Sequence, residues 1–404
     1  MTRRNRTTVT TAPATAPATS APTAGALDVA SDTRTRPPTT VQNAPKIDVR
    51  PDMNRNSRTQ LRLDRNEGCA PPRAVLEALT ALDVDDLRRY PDVAAQIGAV
   101  ERAWAEHLDV DAERVVLTTG GDGAIDLFFA CFGEPGARCV VATPTFEPIV
   151  LAAARAGMEL VELDGFARRY PLADAAALLQ RPQDRLVLVS PANPTGLALD
   201  GRTLRELCTL TAGRPTLIDL AYHEFAREDL APIALCEAGA CVLFSLSKAW
   251  GLAGLRVGCL VVPSELASTV RAARPVYPVA TPSLAIARRA LEDFADLPLE
   301  NARRTAPMRE RVERLLLRAG LEPLPSEANF VLARGAGAAD LATGLAARRV
   351  FVRRFEGRAE LADAVRVTCP ASDAELARLV LAIDDLCRER EAALDAVNAT
   401  GGSR

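Results

Sequence analysis

The stretch LFSLSKAWGLAGLRVG, residues 243–258, decides how this chain is read. It holds Lys248, one of only two lysines (the other is Lys46) in a sequence with 47 arginines. Where a positive head has only to sit in water, either residue serves, because both carry it on a long stem. A lysine kept here points to what arginine cannot do: its amine can lose a proton when desolvated and attack a carbonyl carbon to form a Schiff base. Ser245, Ser247 and Arg256 flank it with two hydroxyls and a guanidinium, groups that suit a phosphate beside a nucleophile.

Outward from this stretch the chain alternates strand-like and helix-like segments, as a parallel sheet with crossover helices requires. Short apolar runs read as strands buried on both faces: CVVAT (139–143), RLVLVS (185–190), TLIDL (216–220), CVLFSLS (241–247) and RVGCLVV (256–262). Between them AIDLFFACF (124–132), PIVLAAARAG (148–157) and PLADAAALL (171–179) carry helical spacing. Beyond residue 300 a long amphipathic helix is followed by strands NFVLA (329–333), VFVRR (350–354) and AVRVTC (364–369), and by a last helix over 373–390. The predicted organisation is a Thr/Ala/Pro-rich disordered tail over 1–45, an N-terminal arm and small-domain segment over 46–95, and a large α/β domain over 96–282. A smaller α+β domain over 283–390 and a flexible end over 391–404 complete it.

Composition removes several functions. A formal net charge of −3 gives no reason to expect nucleic acid or an anionic membrane as partner, and no apolar run reaches the roughly 18 residues of a spanning helix. Nine cysteines without a Cys-x-x-Cys pair fit reduced thiols in a cytoplasm. With only His107 and His223, no metal site is expected. The early arginines resemble a transit peptide in charge, but no bulky apolar face completes an amphipathic helix.

Ligands of open α/β sheets sit beyond the carboxyl ends of the strands, so the polar clusters there are the places to search. TTGGDG (118–123) opens a helix, where backbone N–H groups and the dipole favour an anion, although alone it is an ordinary Gly-rich turn. SPANPTG (190–196) is a turn carrying Asn193, whose amide both donates and accepts. Asp219 ends an apolar strand, where a carboxylate is expensive unless paired; a protonated ring nitrogen is one suitable partner, and an Asp capping the next turn is the plainer one. Tyr222 follows within reach of the same ligand. An amine, an anion cradle, a carboxylate for a pyridinium, and hydroxyl and amide groups for a phenolate oxygen together describe the needs of pyridoxal 5'-phosphate.

With these residues in place, the sequence from LRLDRNEG (61–68) to the last helix resembles the fold-type I, aspartate-aminotransferase-like superfamily. SLSKAWGLAGLRVG with SPANPTG is most similar to its histidinol-phosphate aminotransferase branch. The resemblance implies that Lys248 forms the internal Schiff base, Asp219 holds the pyridine nitrogen, and Asn193 and Tyr222 bond the ring oxygen. Gly121, Asp122, Ser245, Ser247 and Arg256 would hold the phosphate, and Phe146 would stack on the ring where the family usually has a tyrosine. Tyr90 would reach the phosphate of a neighbouring subunit, which implies a homodimer with shared sites. Arg366 would grip a substrate carboxylate, with Arg353 nearby. The implied activity is amino transfer from an amino acid or amino-phosphate donor to a 2-oxo acid. Alternatives are a decarboxylase of the threonine-phosphate type or a transaminase of specialised metabolism. The chain departs from the family where RNEGCAPP lacks a pocket tyrosine, where DLAY replaces Asp-Glu-Ala-Tyr, and where Gly123 replaces an acidic residue.

Overall fold

Successive apolar residues of the central strands serve two different cores. Val115 and Leu117 face one apolar layer while Val116 faces the other, and Leu186, Val187 and Leu188 alternate in the same way. That is the pattern of a sheet covered by helices on both faces. The computed structural model describes residues 60–167 and 169–401, so the expected tail over 1–45 and part of the arm lie outside the described residues.

Strand β1 (Leu61–Leu63) comes first. Then follow β2 (Val115–Thr118), β3 (Arg138–Thr143), β4 (Glu159–Asp164), β5 (Arg185–Val189), β6 (Thr216–Asp219), β7 (Ala240–Ser245) and β8 (Gly258–Val261). These seven form one sheet in the order β2-β8-β7-β6-β5-β3-β4. All its pairings are parallel except those of β8, which runs antiparallel to both β2 and β7. The expected mostly parallel sheet is present, with RVGCLVV as its reversed member. The carboxyl ends of β2, β3, β5, β6 and β7 therefore share one edge.

Helices Gly98–Leu108, Gly201–Thr211 and Thr281–Asp293 cover one face. Gly120–Phe132, Glu147–Arg155 and Ser264–Ala273 cover the other. The expected boundary at residue 282 falls in the first turn of Thr281–Asp293, whose Leu284, Ala287 and Leu291 pack with the seven-stranded sheet.

The remaining strands are β9 (Glu322–Pro323), β10 (Phe330–Arg334), β11 (Val350–Val352) and β12 (Ala364–Thr368). An antiparallel sheet runs β12-β10-β9, and β1 pairs parallel with β11. Its inner face meets helices Leu297–Arg318, Ala338–Ala347 and Asp373–Gly401 in a third core. Val365 and Val367 belong to that core, so Arg366 between them faces the opposite way. The last helix continues to Gly401 and does not stop at 390.

Candidate active site

Each strand of the common edge hands at least one group to a cleft of about 1140 Å³. From β2 come Gly121 and Asp122, from β3 Phe146, from β5 Asn193, from β6 Asp219 and Tyr222, and from β7 Ser245, Ser247 and Lys248. Arg256 joins them just before β8, and the opposite wall carries Asp64, Arg65, Asn66, Arg353, Phe355 and Arg366. Twelve of the thirteen residues singled out in the sequence thus border one cavity. The thirteenth, Tyr90, does not line it: its exposed ring stacks on Tyr277, with centroids 4.5 Å apart. Neither histidine lines it either.

The amine of Lys248 donates to two peptide oxygens, Arg65 O at 3.4 Å and Asn66 O at 3.3 Å. Among the described residues no carboxylate lies within ion-pairing distance of it. It sits 5.4 Å from the centre of the Tyr222 ring, which packs edge-on against Phe330. The backbone is tight here, since a Cβ on Gly68 would stand 2.1 Å from Lys248 O. Only glycine allows that approach.

Asp219, at the end of β6, is buried, and its Oδ1 accepts from Ala221 N at 3.0 Å. Burial pushes its carboxyl up from 3.8 to about 6, and the neighbouring Asp122 adds to the rise; the Ala221 N–H and Lys248 oppose it. A carboxylate so placed favours a cationic partner inside the cleft.

The anion cradle forms at the start of helix Gly120–Phe132. Gly120 has φ of 66°, and a Cβ there would lie 2.8 Å from Arg256 Nη2, so the glycine lets the guanidinium lie against the helix start. Arg256 pairs with Asp122 at 2.9 Å. The Ser245 hydroxyl accepts from Ser247 N at 3.2 Å, whereas Ser247 Oγ is buried and has no partner among the described residues. A buried hydroxyl left without a partner is costly, so this one fits a ligand oxygen.

Across the cleft Arg366 is buried on β12. Its Nη1 donates to Asn193 Oδ1 and its Nη2 to Asp64 O at 3.0 Å, while Nε has no partner among the described residues. Burial pulls the guanidinium from 12.5 to about 10. Arg353 exchanges both backbone hydrogen bonds with Arg366 at 2.9 Å, and each guanidinium stands 5.9 Å from the Phe355 ring. Sequence reasoning missed Asn66, which donates from Nδ2 to Tyr222 Oη at 3.0 Å. Its local signal, an asparagine near a glycine after a short apolar run, is that of any turn.

A lysine amine, a buried carboxylate and a glycine-opened helix start thus line one cleft at the carboxyl edge of a mostly parallel sheet. Residues 58–383 match the family model for aminotransferase class I and II, and the chain belongs to that family. The expected fold and the expected aminotransferase class are met. The chain is 32% identical over 333 residues to histidinol-phosphate aminotransferase 1 of Bradyrhizobium diazoefficiens, covering 81% of this chain and 92% of that protein. It is similar in structure, with a TM-score of 0.72 and 25% identity, to histidinol-phosphate aminotransferase from Sinorhizobium meliloti in complex with pyridoxal-5'-phosphate; 81% of this chain and 91% of that one are covered. It also shares its fold, at a TM-score of 0.69 and 21% identity, with L-threonine-O-3-phosphate decarboxylase from Porphyromonas gingivalis, over 81% and 99% of the two chains.

Proposed function

We propose that the cleft holds pyridoxal 5'-phosphate and that the protein transfers an amino group from a donor bearing an anionic group to a 2-oxo acid. Histidinol phosphate is the first donor to test. The observation that carries this reading is Lys248 Nζ, bordered in the cleft by peptide carbonyls rather than a counter-ion, in the same cavity as a buried hydroxyl on Ser247 and a buried Nε on Arg366 that have no hydrogen-bond partner among the described residues.

When bound, the cofactor supplies an aldehyde that condenses with amines and a protonated ring that accepts electrons from a substrate carbon. Lys248 Nζ would be the nucleophile that holds the aldehyde, and the same amine, when free, would serve as general base at the substrate Cα. Asp219 would keep a proton on the ring nitrogen, which in turn would relieve the burial of its own charge. Tyr222 and Asn193 would bond the ring oxygen. Ser245, Ser247, Arg256 and the start of the helix at Gly121 and Asp122 would hold the phosphate. Phe146 would pack on the ring. Arg366 takes the donor's carboxylate or equivalent anion, with Arg353 beside it.

A homodimer accompanies this reading. Tyr90 and Tyr277 stack at the surface, and Leu76, Val84, Leu87 and Val276 nearby in sequence are exposed apolar side chains, a set that suits burial against a second copy. A cytoplasmic site of action is supported by nine free cysteines. No helix among the described residues is long and apolar enough to cross a membrane.

The test is a donor screen on the cofactor-loaded protein with 2-oxoglutarate, including histidinol phosphate, aromatic and arginine-like amines, with carbon dioxide release measured in parallel. Borohydride reduction followed by peptide mapping should tag Lys248. An untagged peptide sinks the cofactor assignment; release of carbon dioxide without need of an acceptor sinks amino transfer.

A further inference from the structure

Asn66 stands where three distant parts of the chain meet. It follows β1, is buried, and holds φ of 55°, a left-handed conformation that asparagine tolerates better than most residues. Its backbone N–H donates to Thr368 Oγ1 at 3.0 Å. Having accepted there, the Thr368 hydroxyl directs its single proton to Asn66 Oδ1, 3.2 Å away. That orients the carboxamide, with Oδ1 towards Thr368 and Nδ2 towards Tyr222, where it donates to Oη at 3.0 Å. With the amide turned over, the buried Thr368 proton would lose this acceptor. Tyr222 Oη therefore accepts from Asn66 and keeps its one proton for another partner. The carbonyl oxygen of Asn66 accepts from Lys248 Nζ and, at 3.2 Å, from Asn329 Nδ2.

We infer that Asn66 is a positioning residue: a one-way relay from Thr368 through its carboxamide to Tyr222 commits the phenol proton to the cleft, where an anionic oxygen of the bound group receives it. The identity of that oxygen rests on the cofactor reading above. The direction of the relay does not.

Asn66→Asp keeps the size and the backbone preference but turns the donor into an acceptor. In cofactor-free protein, the ionisation of Tyr222 is isolated as the difference in phenolate absorbance between each protein and its Tyr222→Phe counterpart. Asn66→Asp should move that midpoint upward by about one pH unit or more, because a carboxylate beside a phenol disfavours phenolate. Thr368→Val, which removes the hydroxyl that orients the amide, should shift it the same way, and Thr368→Ser should restore the original midpoint. The Thr368 pair carries the test should Asn66→Asp not fold. With cofactor bound, the pH midpoint of its long-wavelength absorbance should shift in both Asn66→Asp and Tyr222→Phe, and the double variant should shift no further than Tyr222→Phe alone. An unchanged phenol midpoint, or cofactor shifts that add, overturns the relay. A phenol shift in a protein that binds no cofactor upholds the relay and overturns the cofactor reading instead.

Discussion

Two guanidiniums border the cleft under opposite conditions. Arg256 is half-exposed and already paired with the Asp122 carboxylate at 2.9 Å. Arg366 is buried, its side-chain partners are a side-chain amide and a peptide carbonyl, and its Nε has none among the described residues. A half-exposed pair is screened by water and contributes little by itself. A buried charge facing only neutral acceptors is strained, and the arrival of an anion completes it. The difference teaches where selectivity would reside on the proposed reading: the Arg256 end would hold the group that stays, and the Arg366 end would discriminate among those that come and go.

The comparison presupposes a cofactor between the two arginines, so its harshest test is Lys248→Ala. Both turnover and the cofactor-linked absorbance should vanish, as read by spectrophotometry and a coupled assay; normal turnover would dissolve the site. Next in size, Arg366→Lys should lower kcat/KM for an anionic donor by about a hundredfold, because losing one partner of a buried charged contact costs some 2–5 kcal/mol. Steady-state kinetics should place most of that loss in KM, and an effect no larger than that of Arg256→Ala would erase the distinction between the two ends.

Asp219 sharpens the comparison from the acidic side. Its folded-state carboxyl, near 6 against an ordinary 3.8, makes the native protein bind the proton more tightly than the unfolded chain does. The cofactor-free protein should therefore be favoured below about pH 4 and lose that advantage as pH climbs through 6. Relative to Asp219→Asn, which does not titrate, the loss should total on the order of 2–3 kcal/mol by denaturant melts at several pH values. A flat difference would mean that Asp219 is less desolvated than its burial indicates. The smallest effect belongs to Arg256→Ala, where cofactor affinity should fall about tenfold, with the loss diminishing at high salt. Equilibrium titration at two ionic strengths reads it.

Much of the fold was legible because local pattern carried it. The strands RLVLVS, TLIDL and CVLFSLS coincide with β5, β6 and β7, since apolar runs of that length between turn residues admit few other readings. The direction of β8 was not legible, for RVGCLVV is equally apolar whichever way it runs. Strand β1 has only three residues and is defined by its pairing with Val350–Val352, which no local window contains. The cleft residues were found through their chemistry at strand ends. Asn66 was not, because what gives it a role is its hydrogen bonds to Tyr222, Asn329 and Thr368, all remote in sequence. The carboxamide of Asn193 was read as a ligand group, and its contact with Arg366 shows that the two walls of the cleft touch through the same side chain.

The bond between Asn66 and Thr368 spans 302 positions. A ribosome delivers Lys248 long before it delivers the strand that orients the peptide receiving that lysine's amine. On the proposed reading, vitamin capture would consequently be a late event in the life of a nascent chain, since the contacts that fix Asn66 beside that amine come from the last strand.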